Sequence, residues 1–169
     1  MSLRPTADEY RTGIGTDIHC LVPDKPLILG GVEVPCEMGL LAHSDGDVVV
    51  HAVIDAILGA TCLGDIGELF PDTDEKFAGA DSMRLLLTVR ELMEADGWHV
   101  ENLDVVIKAQ RPRLSPWKAQ IKRSLADCCG ANFKHVNVKA KTNEGLGAVG
   151  RGEAIEALAN VLLKRTVKI

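Results

Sequence analysis

Two residues near the N-terminus, Asp17 and His19, have the types and spacing of a metal-binding pair. They lie in a glycine-rich segment that predicts a strand, where residues two positions apart point to the same face. One carboxylate oxygen and one imidazole nitrogen could therefore bind the same cation, with His51 as the third candidate ligand. Two histidines and one carboxylate leave a fourth position open, which is typical of catalytic zinc sites. The pattern Asp-x-His is short and common, so the alternative to a metal site is that His19 and His51 are unrelated surface or core histidines.

A second group of residues, His43, Ser44 and Asp45, immediately precedes a predicted helix. Backbone N–H groups at the start of a helix attract anions, and the side chains of His43 and Ser44 could donate further hydrogen bonds to a phosphate. Ser44 or Asp45 could equally cap the helix, because a short oxygen side chain accepts from the free N–H groups of the first turn. The spacing therefore indicates either a phosphate site or a plain helix cap.

Two further segments carry acidic and hydroxyl groups. Residues 63–74 include two glycines and three aspartates, so they form a flexible acidic loop that could bind sugar hydroxyls or simply connect two helices. Residues 139–147 lead from a predicted strand into a polar turn, where Glu144 suits a hard cation such as Mg²⁺. Arg151 has a glycine on either side, which would let an anion approach closely. An ordinary turn with a surface Glu and Arg is the alternative.

The rest of the sequence predicts the elements that must position these groups. Strands and helices alternate, which predicts one α/β domain, an α+β sandwich whose mixed sheet of about four main strands carries helices on one face. The second face of such a sheet needs cover, which oligomerisation supplies. Residues 1–10 are expected to be a flexible tail and residues 11–169 the single domain. The predicted strands are residues 10–20, 100–109 and 135–141, with a hairpin at 27–34, and the predicted helices are residues 48–59, 81–96, 115–130 and 153–165.

Composition excludes several classes of protein. The 169 residues carry a formal net charge of −5, which argues against a protein whose main function is to bind the nucleic-acid backbone. No apolar run approaches the roughly 20 residues of a membrane helix, and residues 1–10 lack the apolar stretch of a signal peptide. Five cysteines without a C-x-x-C spacing argue against a disulfide framework. A reducing compartment is therefore expected, the bacterial cytoplasm first and the plastid stroma second.

Taken together and in this order, these segments resemble the 2-C-methyl-D-erythritol 2,4-cyclodiphosphate synthases of the non-mevalonate isoprenoid pathway. The resemblance covers nearly all of residues 11–164, and although each motif alone is weak, the set is very specific. The segments that carry it are R-T-G-I-G-T-D-I-H, I-L-G-G-V, L-L-A-H-S-D-G-D-V-V-V-H, L-G-D-I-G-E-L-F-P-D-T-D, A-G-A-D-S, A-Q-R-P-R-L, V-N-V-K-A-K-T-N-E and G-R-G-E.

The resemblance implies a metal-assisted intramolecular phosphoryl transfer, the reaction of a phosphorus–oxygen lyase. The 2-phosphate of 4-diphosphocytidyl-2-C-methyl-D-erythritol 2-phosphate would attack the β-phosphorus of the same molecule, forming the cyclic diphosphate and releasing CMP. Cations would cancel the repulsion between the phosphates, and the tether between them would supply orientation. The resemblance also implies a homotrimer whose sheets face the threefold axis and whose active sites lie between subunits.

The metal ligands follow from the same resemblance. Asp17, His19 and His51 match the ligands of a divalent metal, usually one Zn²⁺ per subunit. Glu144 matches the ligand of a second cation, Mg²⁺ or Mn²⁺, that bridges the substrate phosphates. Both sites would serve a small-molecule substrate that carries a cytidine diphosphate moiety.

Two further residues, His43 and Thr142, match groups that stabilise the transition state. Asp65 and Gly67 match groups that hold hydroxyls of the erythritol part. The segment from Ala109 to Ser115 matches the one that surrounds the cytosine. The full set expected to contact substrate is Asp17, Ile18, His19, His43, Ser44, Asp65, Ile66, Gly67, Phe70, Pro71, Asp72, Thr73, Asp74, Ala109, Gln110, Arg111, Pro112, Arg113, Leu114, Ser115, Lys141, Thr142, Asn143, Glu144, Ala148 and Arg151.

Four positions depart from the family pattern: Ile14, Thr16, Gly145 and Ala148. The residue matching Arg151 faces the threefold axis, where the family can hold a diphosphate-bearing isoprenoid. Ala148 replaces an aromatic residue near that axis, which removes a large apolar wall and argues against axial binding in this chain. None of the four changes affects the candidate metal ligands.

Two other functions would use the same three ligands. A non-haem iron oxygenase uses two histidines and one carboxylate, but it needs iron and has no role for the phosphate-binding segments. A trimeric regulatory module with a structural metal would bind cytidine nucleotides but release no CMP. Metal analysis distinguishes the first from a synthase, and an assay for CMP distinguishes the second.

Overall fold

The computed structural model describes residues 6–169, which form one mixed sheet, one small hairpin and helices packed against the sheet. Within that range, no helix is both long enough and apolar enough to span a membrane. The strands are β1 (Thr6–Pro23), β2 (Leu27–Leu29), β3 (Val32–Val34), β4 (Met38–Leu40), β5 (His99–Lys108), β6 (Val136–Lys141) and β7 (Ala154–Lys168). The helices are α1 (Val48–Thr61), α2 (Ile66–Leu69), α3 (Ser82–Ala95), α4 (Lys118–Cys129) and α5 (Gly147–Gly150), with 3₁₀ turns at Glu75–Phe77 and Phe133–His135.

The main sheet has five strands in the order β4-β1-β7-β5-β6. β1 and β7 pair antiparallel along most of their lengths, from Thr6 opposite Lys168 to Cys20 opposite Ala154. β7 also pairs antiparallel with β5, and β5 pairs parallel with β6. The mixed sheet and the β2–β3 hairpin predicted from the sequence are therefore confirmed, with one more strand in the sheet than expected.

Two strands of the sheet, β4 and β7, were not among the predicted ones, and the helix predicted over residues 153–165 is wrong. The Ala, Glu and Leu residues of this segment favour helix locally, but its burial alternates with period two. Ile155, Ala157 and Ala159 are fully buried, whereas Glu156 and Leu158 are partly exposed. β7 lies between β1 and β5, so strand neighbours bond to both of its edges. This pairing outweighs the local helix propensity.

The structure also corrects the prediction of a flexible tail over residues 1–10. Residues 6–10 belong to β1 and pair with the last five residues of β7, Lys164–Lys168. Most of β7 was predicted to be helical, which is why its pairing with β1 was missed. Residues 1–5 lie outside the described residues.

Two helix starts differ from their predictions by a few residues. Ser115 and Pro116 form a turn, and α4 begins only at Lys118. The cap of α1 is Asp47, whose side chain accepts from two backbone N–H groups of the first turn, rather than Ser44 or Asp45. The sequence offered Asp81 or Ser82 as the start of α3, and the structure has Asp81 as the cap; the predicted end of α4 at Gly130 is confirmed.

The helices cover one face of the sheet, and glycine allows α1 to come close. Gly13 and Gly15 of β1 face α1, and a Cβ added to Gly15 would lie 2.1 Å from the backbone oxygen of Ala52. Only a residue without a side chain permits that approach. Ile14 and Ile18 point to the opposite face and are 63% and 53% exposed. The second face of the sheet is therefore open in the single chain over residues 6–169.

Candidate metal centre and substrate cavity

Strand β1 and helix α1 bring together three side chains that could hold a metal ion. Asp17 and His19 lie two residues apart on the face of β1 that packs against α1. His51 reaches them from the first turn of α1, which lies close to β1 because Gly15 has no side chain. The prediction that Asp17, His19 and His51 meet is confirmed.

The three candidate ligand atoms form a small triangle. Asp17 Oδ2 lies 2.9 Å from His19 Nε2 and 2.9 Å from His51 Nδ1, and the two nitrogens are 3.0 Å apart. Ligands held about 2.0–2.1 Å from a tetrahedral Zn²⁺ lie about 3.3 Å from one another. A small outward movement would therefore fit this triangle to the ion. Two imidazole nitrogens and one carboxylate oxygen are also donor types that zinc binds.

Asp17 gives this group a negative charge. Burial by itself would raise the pKa of the partly buried Asp17 carboxyl group. Interactions with the side chains of His19 and His51 outweigh burial and hold the pKa well below its ordinary value. The carboxylate is therefore ionised at neutral pH and available to a cation.

The other ring nitrogen of His51 contacts two hydroxyl groups. Its Nε2 points away from the triangle and lies 2.9 Å from Ser82 Oγ and 3.1 Å from Ser44 Oγ. Ser82 is the first residue of α3, and its hydroxyl and backbone N–H both bond to the carboxylate of Asp45. The contact of Ser82 with His51 was not predicted, because a serine or aspartate near a helix start is usually explained as a cap.

Four backbone N–H groups at the start of α1, those of residues 46, 47, 49 and 50, are already hydrogen-bonded within the chain. The carboxylate of Asp47 accepts hydrogen bonds from Val49 and Val50, and it also accepts from Gly30 and Gly31 of the hairpin. The two preceding amides, of residues 46 and 47, bond to side chains two positions earlier. Of the two alternatives for this segment, these amides form the helix cap, and the Asp47 carboxylate also ties the hairpin to α1.

A cavity of about 390 Å³ opens beside the metal-binding group. This volume lies in the range of cavities that bind small molecules. The lining includes the polar side chains of His43, Ser44 and Asp72 and the apolar side chains of Phe70 and Leu85. The full lining is Asp17, His19, Ala42, His43, Ser44, His51, Asp55, Ile66, Gly67, Phe70, Asp72, Phe77 and Leu85.

Four of these lining residues were not predicted: Ala42, Asp55, Phe77 and Leu85. Asp55 lies four residues after His51 on α1, so helical spacing was a usable signal that both share one face. Its carboxylate accepts a hydrogen bond of 2.8 Å from the N–H of residue 66, and partial burial raises its pKa. Phe77 and Leu85 have no sequence feature that separates them from core residues.

The acidic segment, residues 63–74, contains the short helix α2 instead of a plain loop. The carboxylate of Asp65 caps this helix by accepting from a backbone N–H of its first turn at 2.9 Å. Asp74 caps the following 3₁₀ turn and pairs with Lys76 at 2.7 Å. Within residues 6–169, the cavity lining does not include Asp65, Asp74, Pro71 or Thr73, although they were expected to contact substrate. Ile18, also expected to do so, points to the opposite face of the sheet.

The remaining predicted residues gather at the ends of β5 and β6. The N–H of Ala109 donates to the carbonyl of Lys141 at 2.9 Å, which places residues 109–115 beside the turn that follows β6. In that turn, the hydroxyl of Thr142 donates to the carboxylate of Glu144. We call residues 109–115 and 141–144 the strand-end group. None of them lines the 390 Å³ cavity in the part of the chain described.

The sheet register gives the separation of the two groups. Asp17 lies opposite Ala157, Ala157 lies opposite Ile107, and Ile107 lies opposite Ala140. These residues form one row across β1, β7, β5 and β6. Three strand spacings of about 4.8 Å place Ala140 about 14 Å from Asp17. Within one chain, the strand-end group is therefore well separated from the metal-binding group.

Arg151, which the resemblance implies faces a threefold axis, is paired within its own chain. Its guanidinium donates two hydrogen bonds of 2.8 Å to the carboxylate of Glu153. Ala148 lies on the short helix α5 just before it, and Asn143 bonds to the carbonyl of Leu146 at the start of that helix.

The chain is similar to known proteins over nearly its whole length. Residues 10–164 match the sequence profile of the YgbB family. A 2-C-methyl-D-erythritol 2,4-cyclodiphosphate synthase from Trichlorobacter lovleyi is 53% identical over 153 residues, which cover 90% of this chain and 98% of that protein. The IspF–CDP complex of Plasmodium falciparum has a TM-score of 0.81 at 35% identity, covering 92% of this chain and 96% of that one.

A longer relative contains the same fold as part of a larger chain. The bifunctional IspDF from Campylobacter jejuni has a TM-score of 0.91 at 44% identity. The match covers 95% of this chain but 44% of that one. Because the sequence profile matches residues 10–164 and the curated relative covers 90% of the chain at 53% identity, the chain belongs to the YgbB family, together with the 2-C-methyl-D-erythritol 2,4-cyclodiphosphate synthases.

Proposed function

We propose that this chain converts 4-diphosphocytidyl-2-C-methyl-D-erythritol 2-phosphate to 2-C-methyl-D-erythritol 2,4-cyclodiphosphate and CMP. The observation that carries the proposal is the meeting of Asp17, His19 and His51 beside a cavity of about 390 Å³. The name of the Trichlorobacter lovleyi relative, which this chain matches over 90% of its length, supports the choice of product.

The reaction requires that two negatively charged phosphates approach each other. Asp17, His19 and His51 would hold Zn²⁺, and Glu144 would hold Mg²⁺ or Mn²⁺; when bound, these cations neutralise the phosphates and orient their oxygens. The attacking 2-phosphate and the β-phosphorus belong to one molecule. Binding that molecule in a folded pose therefore replaces a collision by a positioned intramolecular step. The reaction needs no nucleophile from the protein.

Residues of the cavity wall would hold the erythritol part and its phosphates. His43 is exposed at the wall, so its ring N–H can donate to a phosphate oxygen as charge develops there. Gly67 has no side chain and therefore leaves room for a sugar hydroxyl against the backbone. The apolar side chains of Phe70 and Leu85 also line the cavity and would limit the access of water to the reacting phosphates.

The strand-end group would come from a second copy of the chain. The resemblance implies that Thr142 and His43 stabilise the same transition state. The sheet register places the end of β6 about 14 Å from β1, so a single chain does not bring Thr142 close to the metal-binding group. The open sheet face, with the exposed Ile14 and Ile18, would be covered in a homotrimer. In that assembly, residues 109–115 would surround the cytosine, and the CDP in the Plasmodium falciparum relative is consistent with such a ligand.

The test is to incubate the purified chain with the diphosphocytidyl substrate and to follow phosphorus by NMR. The expected result is the appearance of the cyclic diphosphate and CMP in equal amounts. The variant His51→Ala should lose bound zinc and nearly all turnover, because one of three protein ligands is removed. His135→Ala is the matched control, since His135 is an exposed histidine outside the cavity lining. CMP release without a cyclic product, or full turnover in His51→Ala, would contradict the proposal.

A further inference from the structure

We propose that Ser82 and Asp45 are positioning residues that keep the ring proton of His51 on Nε2 and so leave Nδ1 free to bind a metal. The inference rests on the metal site of the proposed function but not on the proposed reaction. The evidence for it is the direction of two hydrogen bonds, from the Ser82 hydroxyl to Asp45 and from His51 Nε2 to Ser82.

The first step concerns the hydroxyl proton of Ser82. Both oxygens of the Asp45 carboxylate face α3: one accepts the backbone N–H of Ser82 at 3.0 Å and the other accepts the hydroxyl of Ser82. The second oxygen also accepts the backbone N–H of Asp47 at 3.2 Å. An ionised carboxylate only accepts hydrogen bonds. The single hydroxyl proton of Ser82 is therefore committed to Asp45.

The second step follows at His51. Ser82 Oγ lies 2.9 Å from His51 Nε2 and has no proton left to donate in that direction. The bond therefore requires Nε2–H as the donor. A neutral imidazole carries one N–H, so Nδ1 keeps its lone pair. Nδ1 is the nitrogen that lies 2.9 Å from Asp17 Oδ2 and 3.0 Å from His19 Nε2, inside the metal-binding triangle.

This arrangement opposes a competing preference. In the metal-free protein, the carboxylate of Asp17 would accept an N–H from His51 Nδ1 at the same 2.9 Å. That tautomer would place a proton where the metal must bind. Asp45 and Ser82 favour the other tautomer from the opposite side of the ring. Their contact is shielded from water, because Ser82 is fully buried and His51 is 8% exposed.

The chain supplies a control for this effect in Ser44. Its hydroxyl lies 3.1 Å from the same Nε2, and it accepts the backbone N–H of Gly46 at 3.3 Å. No carboxylate in the described residues engages the Ser44 hydroxyl proton. Ser44 can therefore donate to His51 or accept from it, so it does not select a tautomer.

The experiment measures the tautomer of His51 and the affinity for zinc separately. Long-range proton–nitrogen NMR of ¹⁵N-histidine-labelled, metal-free protein in alkaline buffer reports which ring nitrogen carries the proton. Competition with a chelator gives the Kd for Zn²⁺. The variants are Asp45→Asn and Ser82→Ala, with Ser44→Ala as the control.

The wild-type protein and Ser44→Ala should show the proton of His51 on Nε2 and equal zinc affinity. Asp45→Asn should move the proton toward Nδ1, because the amide can donate to Ser82 Oγ and release the serine proton toward His51. Ser82→Ala should also lose the preference for Nε2. Both should weaken zinc binding by about 10- to 100-fold, the usual effect of removing a partner of a metal-bound histidine. If Asp45→Asn fails to fold, the tautomer of His51 and the zinc affinity measured in Ser82→Ala are sufficient to test the inference.

A proton resident on Nδ1 in the metal-free wild-type protein would overturn the inference. An equal loss of zinc affinity in Ser44→Ala would also overturn it, since the effect would then reflect any hydroxyl near the ring. A wild-type protein that has the Nε2 proton but binds no zinc would instead count against the proposed function. The two failures are thus distinguishable.

Discussion

The substitution Gly15→Ala tests how closely helix α1 must approach strand β1 for the metal site to form. A Cβ at this position would lie 2.1 Å from the backbone oxygen of Ala52 and 2.7 Å from the backbone N of Ala56. An ordinary contact begins at 3.4 Å, so α1 must move away from β1 by about 1.3 Å. Neither neighbouring atom belongs to a flexible side chain, so the backbone itself must shift.

This displacement acts directly on the metal-binding group. His51 precedes Ala52 on α1, and Asp17 lies two residues from Gly15 on β1. The ligand triangle has edges of 2.9–3.0 Å, and a metal site tolerates ligand displacements of about 0.2 Å. A shift of about 1.3 Å should therefore remove His51 from the coordination sphere and weaken zinc binding by at least about 100-fold. The overpacking should also lower the free energy of unfolding by about 1–3 kcal/mol.

Gly59→Ala is the matched control on the same helix. Gly59 lies on α1, is exposed, and a Cβ there would have no atom within 4 Å. Alanine in a helix interior should raise the free energy of unfolding by about 0.5–1 kcal/mol and leave zinc binding unchanged. Urea unfolding and chelator competition measure the two quantities. A Gly15→Ala protein that binds zinc like the wild type would refute the reasoning that the close helix–strand contact positions His51.

Three further predictions concern the second cation, the cysteines and acid stability. Glu144→Gln should weaken the stimulation of turnover by Mg²⁺ or Mn²⁺, because an amide is a poorer ligand than a carboxylate for a hard cation; an unchanged metal titration of the cyclisation rate would contradict the assignment. Burial raises the pKa of the Cys128 thiol to about 11 and that of Cys129 to about 12, so neither should react with a thiol reagent in mildly alkaline buffer before unfolding. Mass mapping of labelled peptides checks this, and rapid labelling of either residue would be the opposing result. In the metal-free protein, the lowered pKa of Asp17 gives a stabilising contribution that is present above its unfolded value of 3.8 and is lost as the pH falls through the folded pKa. Asp17→Asn should therefore flatten the acid side of the curve of unfolding free energy against pH, and an equally steep acid side in this variant would argue against the pairing with histidine.

The Asp17–His19 pair could be predicted from the sequence because its geometry is local, whereas His51 lies 34 positions from Asp17 and was a candidate third ligand supported by the family resemblance. Asp17 and His19 share a face by the period of a strand, and His51 lies in the first turn of a strongly apolar helix. The contact between that helix and β1 depends on Gly13 and Gly15, whose role in close packing becomes visible only when both elements are placed. The position of Asp55 in the cavity lining could have been predicted from the sequence, since Asp55 lies one helical turn after His51.

Features that depend on distant pairing could not be predicted in the same way. β7 has the composition of a helix, and its conformation is decided by β1 and β5, which bond to its two edges. The contact of Ser82 with His51 joins residues 31 positions apart. Asp47 was overlooked as the cap of α1 because Ser44 and Asp45 satisfy the same local rule. In each case the local sequence is compatible with more than one structure or role, and contacts with distant residues determine which one forms.

The most direct test of the central claim is an anomalous difference map, recorded at the zinc absorption edge from crystals of the zinc-loaded protein. The account predicts one zinc ion per chain, bound by a carboxylate oxygen of Asp17, Nε2 of His19 and Nδ1 of His51, with distances of about 2.0–2.2 Å. Zinc bound through Nε2 of His51, or located only at other residues, would contradict the account.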